Sequence, residues 1–296
     1  MTHPRSAAST NAGRLLGVLG LSLTVLAIEV AGGIAAHSLA LLADAAHVFT
    51  DVAGIGLALL AISVGARPAT PERTYGYLRL EILAAVVNAV LLFGVAGLIL
   101  YGAWQRLAAP PPVGSGLMLG VAVAGLLLNG ISLWLLRHAQ ARSLNMRAAY
   151  LELMSDLAGS AAVIVAALVI LSTGWARADA VASVAIALLV LPRTWALLRD
   201  ATDVLLEATP KGVSIDEVRA HILDAPGVSS VHDLHAWTIT SGVNVVSAHV
   251  VLASGADGAT ALEFLCACLS GHFDIEHSTF QLEFSDRRPQ EGATHG

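Results

Sequence analysis

Charge is scarce in this chain: Lys, Arg, Asp and Glu make up 13% of its 296 residues, against 56% hydrophobic residues and a mean hydropathy of +0.72. That balance argues against a soluble globule and for a polytopic membrane protein. Clustered Lys and Arg are missing too, and the formal net charge is −6, so nucleic-acid binding is set aside. Aromatic residues reach only 5%, leaving Leu, Ala, Val and Ile as the apolar bulk. The two cysteines, Cys266 and Cys268, stand two apart on an expected helix, point to different sides and form no CxxC pair; they read as packing residues in a reducing compartment. The HExxH pattern of a metallohydrolase does not occur, which removes the enzyme reading of a membrane metal site.

What is present is a set of six apolar runs, each long enough to cross a bilayer: residues 14–34, 39–65, 79–107, 115–137, 148–173 and 178–198. The first has no small-residue cleavage site followed by a polar mature domain, so it is expected to stay as a span. An even number of spans puts both termini on one side. Arg67, Arg73 and Arg79 border the second connection and Arg137, Arg142 and Arg147 the fourth, whereas the other connections offer only Arg106 and Arg177. By the positive-inside rule both termini are cytoplasmic, and the protein is placed in a bacterial inner (plasma) membrane.

Around this transmembrane domain (14–199), residues 1–13 and 286–296 are expected to be unstructured, and 200–213 to be a linker broken by Pro210 and Gly212. Ser214 and Glu217 form a capping box that opens a helix. Two alternating runs, Val228 to Thr240 and Val243 to Ala253, flank Ser241 and Gly242 as a hairpin. A helix over Gly258 to Gly271 and a strand over Ser278 to Phe284 complete an αββαβ order. The expected fold is thus a six-helix membrane bundle followed by a small ferredoxin-like α+β domain over 214–285.

Within the apolar spans, ionisable groups mark an ion pathway. His47 and Asp51 on the second span, and Glu152 and Asp156 on the fifth, are two four-residue-spaced pairs, each projecting both donors from one helical face. Asp44 extends the first face as a supporting residue. Packed together, the faces offer one imidazole and three carboxylates, a count that suits four-coordinate zinc. Neither span carries a Lys or Arg at comparable depth, and unpaired buried charge is costly, so a cation is expected to fill the gap. Glu29, Asn88 and Asn129 read as interhelical hydrogen-bonding groups, and Tyr75, Arg79 and Glu81 as interfacial anchors. In the C-terminal domain, His232, His235, His249, His277 and Glu283 gather on or beside the expected strands.

Four strings, HSLALLADAAHVFTD (His37–Asp51), YGYLRLEILAAVVN (Tyr75–Asn88), DLAGS (Asp156–Ser160) and HDLHAW (His232–Trp237), make the chain resemble the cation diffusion facilitators over residues 16–284. The resemblance implies a homodimeric transporter that exports zinc in exchange for protons, with cargo held by His47, Asp51 and Asp156. The family has a histidine where this chain has Glu152. A hard anionic oxygen there shifts preference towards Mn(II), Fe(II) or another oxygen-tolerant ion such as Co(II) or Cd(II). The resemblance further implies regulatory zinc between subunits at His232, His249, His277 and Glu283, with His235 a further candidate. No organic cofactor is expected; a metal sensor that passes nothing is the remote alternative.

Overall fold

In the computed structural model, the described residues are 5–65, 67–137, 144–275 and 277–284. Six long helices come first: α1 (Arg5–Ala36), α2 (Leu39–Gly65), α3 (Leu80–Ala108), α4 (Ser115–Leu136), α5 (Leu144–Thr173) and α6 (Arg177–Leu205). Each holds an apolar stretch of spanning length. Helix α1 starts at Arg5, inside the segment expected to be unstructured. His3, His138, Arg142 and the tail expected over 286–296 lie outside the described residues. Two compact units divide the chain, Met1–Leu59 with Val87–Leu198, and Leu60–Val86 with Arg199–Gly296.

In the first unit the buried interior is rich in alanine: Ala36, Ala40 and Ala43, Ala122, Ala166 and Ala167, and Ala178 and Ala182 surround Met118 and Val163. Between bilayer-spanning helices small side chains let backbones approach closely, and dispersion replaces the hydrophobic drive. Large apolar side chains such as Leu98, Leu127, Val165 and Leu188 face outward, the inverse of a water-soluble bundle and the arrangement lipid requires.

The start of α2, the helix that carries His47 and Asp51, is fixed by an acid from far along the chain. Asp179, in the first turn of α6, is buried. Its Oδ1 accepts from Ser38 Oγ at 2.6 Å and from the Ala40 amide at 3.1 Å, and its Oδ2 accepts from the Leu39 amide at 2.8 Å. Amides at a helix start lack intrahelical acceptors and carry the positive end of the dipole, so a carboxylate satisfies both needs. Arg106 supplies the counter-charge, 3.1 Å from Asp179 Oδ2, and donates to the His37 carbonyl at 2.6 Å. His37 takes a left-handed φ of 53°, the turn that reverses the chain from α1 into α2.

In the second unit α7 (Ile215–Leu223), β1 (Val228–Thr240), β2 (Val243–Leu252), α8 (Gly258–Phe273) and β3 (His277–Glu283) give the expected αββαβ order. The sheet runs β1-β2-β3, with β1 antiparallel and β3 parallel to β2. Ser214 caps α7 by accepting from the Glu217 amide, and Asp257 caps α8 by accepting from the Ala259 and Thr260 amides. The Thr260 hydroxyl and those amides hold the Asp257 carboxyl below the usual range. Val218 and Ile222 of α7, and Ala261, Leu265 and Leu269 of α8, pack on Val246, Ala248 and Val250 of β2. Strand alternation sends the intervening residues, His249 among them, to the opposite face.

Tyr75, Arg79 and Glu81, read from sequence as interfacial anchors, make contacts inside this second unit instead. Glu81 accepts from Thr240 Oγ1 at 2.5 Å and Ser241 Oγ at 2.8 Å, Arg79 pairs with Glu207 at 2.8 Å, and the Tyr75 ring meets His277 edge-on at 5.7 Å. Neither cysteine is a packing residue of the domain interior: Cys266 is exposed and Cys268 half-buried.

Asp179→Ala is expected to destabilise the detergent-solubilised protein by about 3 kcal/mol, the ordinary result of breaking a buried ion pair. A thermal midpoint equal to that of the unaltered chain would show that α2 does not depend on this cap.

Candidate metal centre

Helices α2 and α5 bring three of the four expected donors together. His47 Nδ1 lies 3.7 Å from Asp51 Oδ2, and His47 Nε2 lies 3.6 Å from Asp156 Oδ1. These distances are too long for hydrogen bonds, and they leave from opposite nitrogens of the ring, only one of which can ligate a given ion. One ligand atom from each of the three lies within 4.8 Å of the others. Both imidazole nitrogens, Asp51 Oδ2 and Asp156 Oδ1 are buried without a hydrogen-bond partner. Buried polar atoms are almost always paired, and leaving one unpaired costs about 1–3 kcal/mol, more when charged. One imidazole nitrogen and one carboxylate oxygen from each aspartate could thus be offered to a single divalent cation.

Asp44 lies one helical turn before His47 and is buried. Its Oδ2 accepts from Ser160 Oγ at 3.2 Å, tying α2 to α5. The contact needs Gly159: a Cβ there would collide with Asp44 Oδ1. Asp44 therefore braces the two helices that carry His47, Asp51 and Asp156.

Glu152 departs from the expectation. It is not among the three clustered donors; its Oε1 accepts from Arg193 Nη2 of α6 at 3.0 Å. The sequence reading looked for a counter-charge only within the two donor spans and so missed Arg193, which arrives from a third. No spacing along the chain links positions 152 and 193. Both line a cavity of about 310 Å³, together with His47, Asp51 and Asn88, and Glu152 also lines a neighbouring cavity of about 390 Å³ with Asp51 and Asp156. Glu152 thus borders the centre while bound elsewhere. Arg193 is thus the positive group that Glu152 meets across α5 and α6.

Glu29 of α1 faces Asp44 of α2 as the expected interhelical contact, although no donor reaches either of its buried carboxylate oxygens. Asn88 Oδ1 and Asn129 Nδ2 are likewise buried without a hydrogen-bond partner.

A second cluster lies in the C-terminal domain, on the sheet face opposite α7 and α8. His232 and His249 are directly paired across β1 and β2. Glu283 reaches both, with Oε2 3.7 Å from His232 Nε2 and Oε1 3.4 Å from His249 Nδ1. Asp233, a residue the sequence reading passed over, sits at a break in strand register with a φ of 49°. Its carboxylate joins His235 at 2.7 Å to His249 at 3.6 Å, so His235 belongs to the periphery. His277 is not part of the cluster: the parallel register pairs it with Val245, whereas His249 pairs with Gln281.

The family models of the cation efflux transmembrane domain and of the cation efflux protein cytoplasmic domain match residues 15–206 and 210–285. The metal cation efflux system protein CzcD of Cupriavidus metallidurans is 48% identical over 278 residues, 94% of this chain and 88% of its own. The zinc transporter ZitB of Escherichia coli K12 is 41% identical over 292 residues, covering 96% and 93%. A cadmium, cobalt and zinc/H(+)-K(+) antiporter of Bacillus velezensis is 40% identical over 227 residues, covering 76% and 72%. A solved metal-bound C-terminal domain of the Cupriavidus CzcD transporter is 41% identical, covers 24% of this chain and all of its own, and has a TM-score of 0.24. The chain belongs to the cation efflux family: it is a multi-pass membrane transporter and not an enzyme.

Arg193→Gln is expected to release Glu152 towards the centre and to tighten Zn(II) or Mn(II) binding, because it removes a positive charge from the neighbourhood of the ion and frees a carboxylate. Calorimetric titration reads it directly, and unchanged affinity would confine the Glu152–Arg193 pair to holding α5 against α6.

Proposed function

We propose that the protein exports zinc, or a chemically similar divalent transition cation, from the cytoplasm in exchange for protons. The observation that carries this reading is the convergence of His47, Asp51 and Asp156, whose facing atoms are buried without hydrogen-bond partners. The names of the relatives, a metal cation efflux protein, a zinc transporter and a cadmium, cobalt and zinc antiporter, support the cargo class. Proton exchange follows from ligand chemistry: a cation takes the imidazole neutral and the carboxylates deprotonated, so cargo and protons compete for the same atoms. A centre facing an acidic exterior is emptied by protonation, and one facing a neutral cytoplasm refills. Two facing states alternate around this fixed centre. His232, His249 and Glu283 form the reading's regulatory cation site in a cytoplasmic domain of a homodimer, and both termini lie in the cytoplasm.

Glu152 favours a second reading of the cargo. If it leaves Arg193 for the ion, the centre becomes one nitrogen and three oxygens, a set that zinc accepts but that also serves Mn(II) and Fe(II).

Proteoliposome flux under an imposed pH gradient tests both points. Zn(II) movement is expected to depend on the gradient and to vanish in Asp51→Ala and Asp156→Ala, and Glu152→His is expected to raise the preference for Zn(II) over Mn(II). Flux indifferent to pH, or persisting without Asp51, would sink the exchange mechanism; an unaltered metal preference would remove Glu152 from cargo selection.

A further inference from the structure

Three soft or borderline donors meet on the outer side of the helical layer of the C-terminal domain, away from the His232–His249–Glu283 face. Cys268 and His272 are four apart on α8, hence on one helical face. His221 comes to them from the last turn of α7. His221 Nδ1 is 3.2 Å from Cys268 Sγ, and His272 Nδ1 is 3.8 Å from the same sulfur. One ligand atom from each lies within 4.8 Å of the other two. Tetrahedral zinc with bonds of about 2.3 Å to sulfur and 2.0–2.1 Å to nitrogen separates a thiolate from an imidazole donor by about 3.6 Å, between the two observed spacings.

The surroundings select for positive charge. His221 and His272 occupy the last turns of α7 and α8, where the helix dipoles present their negative ends. Phe273 meets the His221 ring edge-on, with centroids 5.1 Å apart, and holds its plane. Burial, together with the nearby Asp224 carboxylate, pushes the Cys268 thiol up from its ordinary value. Cys266, two residues earlier, points away and meets Ser278 Oγ at 3.6 Å. His272 Nδ1 also lies 3.0 Å from the Cys268 carbonyl, a contact an arriving ion would displace.

We propose that His221, Cys268 and His272 form a metal site that binds one borderline-to-soft divalent cation such as Zn(II), Co(II) or Cd(II), with solvent as fourth ligand. Bound there, the ion clips α7 to α8 on the face where His272 is exposed. The site is independent of the transport centre and of the sheet-face cluster, neither of which contains sulfur, and sulfur makes it separately visible.

Full-length protein in detergent micelles, kept reduced with a phosphine, is titrated with Co(II). The expected result is a saturable thiolate-to-cobalt charge-transfer absorption in the near ultraviolet, retained in Cys266→Ser and in Asp51→Ala, and lost in Cys268→Ser. His272→Gln, at an exposed position that leaves the fold intact, is expected to weaken the band's titration by more than about tenfold, since even outer partners of metal sites carry that much. Absence of the band in the unaltered protein would overturn the proposal. So would its survival in Cys268→Ser, or an unshifted titration in His272→Gln. None of these outcomes bears on flux through the membrane centre.

Discussion

A carboxylate inside a bilayer-spanning bundle has to be met by donors or by positive charge, because neither lipid nor apolar side chains can solvate it. The buried acids of the first unit differ in how far the protein answers this demand, Glu29 receiving no donor and Asp44 one, from Ser160. Asp179 is met in full by two amides, a hydroxyl and Arg106; it is architecture, setting where α2 begins. Glu152 is met by one guanidinium in an open cavity. Asp51 and Asp156 have His47 between them, and Asp51 also faces Glu152. The better a buried acid is satisfied by the protein, the less it has to offer a passing ion.

That gradation also positions the centre. Asp179 acts at the start of α2 and Asp44 one turn before His47, and both hold α2 through bonds to other helices, α6 and α5 respectively. Helix α2 therefore carries its two donors between a fixed start and a fixed brace. Pro192, one residue before Arg193, removes a helical amide from α6 at the level of the open cavity. Rigidity is thus concentrated around Asp44 and Asp179, and the contact to Glu152 is placed on the helix with an interrupted hydrogen-bond ladder.

Much of this was legible in the chain itself, for physical reasons. Spans are legible because apolar length is a one-dimensional property. The donor pairs are legible because four-residue spacing fixes a helical face, and the αββαβ order because caps and alternation are local signals. What escaped the sequence is what tertiary placement decides. Arg193 meets Glu152, and Asp179 meets the start of α2, across separations that no periodicity encodes. Within one chain the parallel register, set by the route through α8, pairs His277 with Val245 and so places it apart from His249. Asp233 entered the sheet-face cluster through a bulge invisible in the alternation. Even the Cys268–His272 spacing was present in the sequence, but its third donor comes from α7.

The close approach of α5 to α2 has one further consequence, for how such a chain can vary. A side chain larger than hydrogen at 159 occupies the space of the Asp44 carboxylate. A substitution at 159 therefore requires the Asp44 carboxylate to move, and with it the bond to Ser160 that joins α2 to α5.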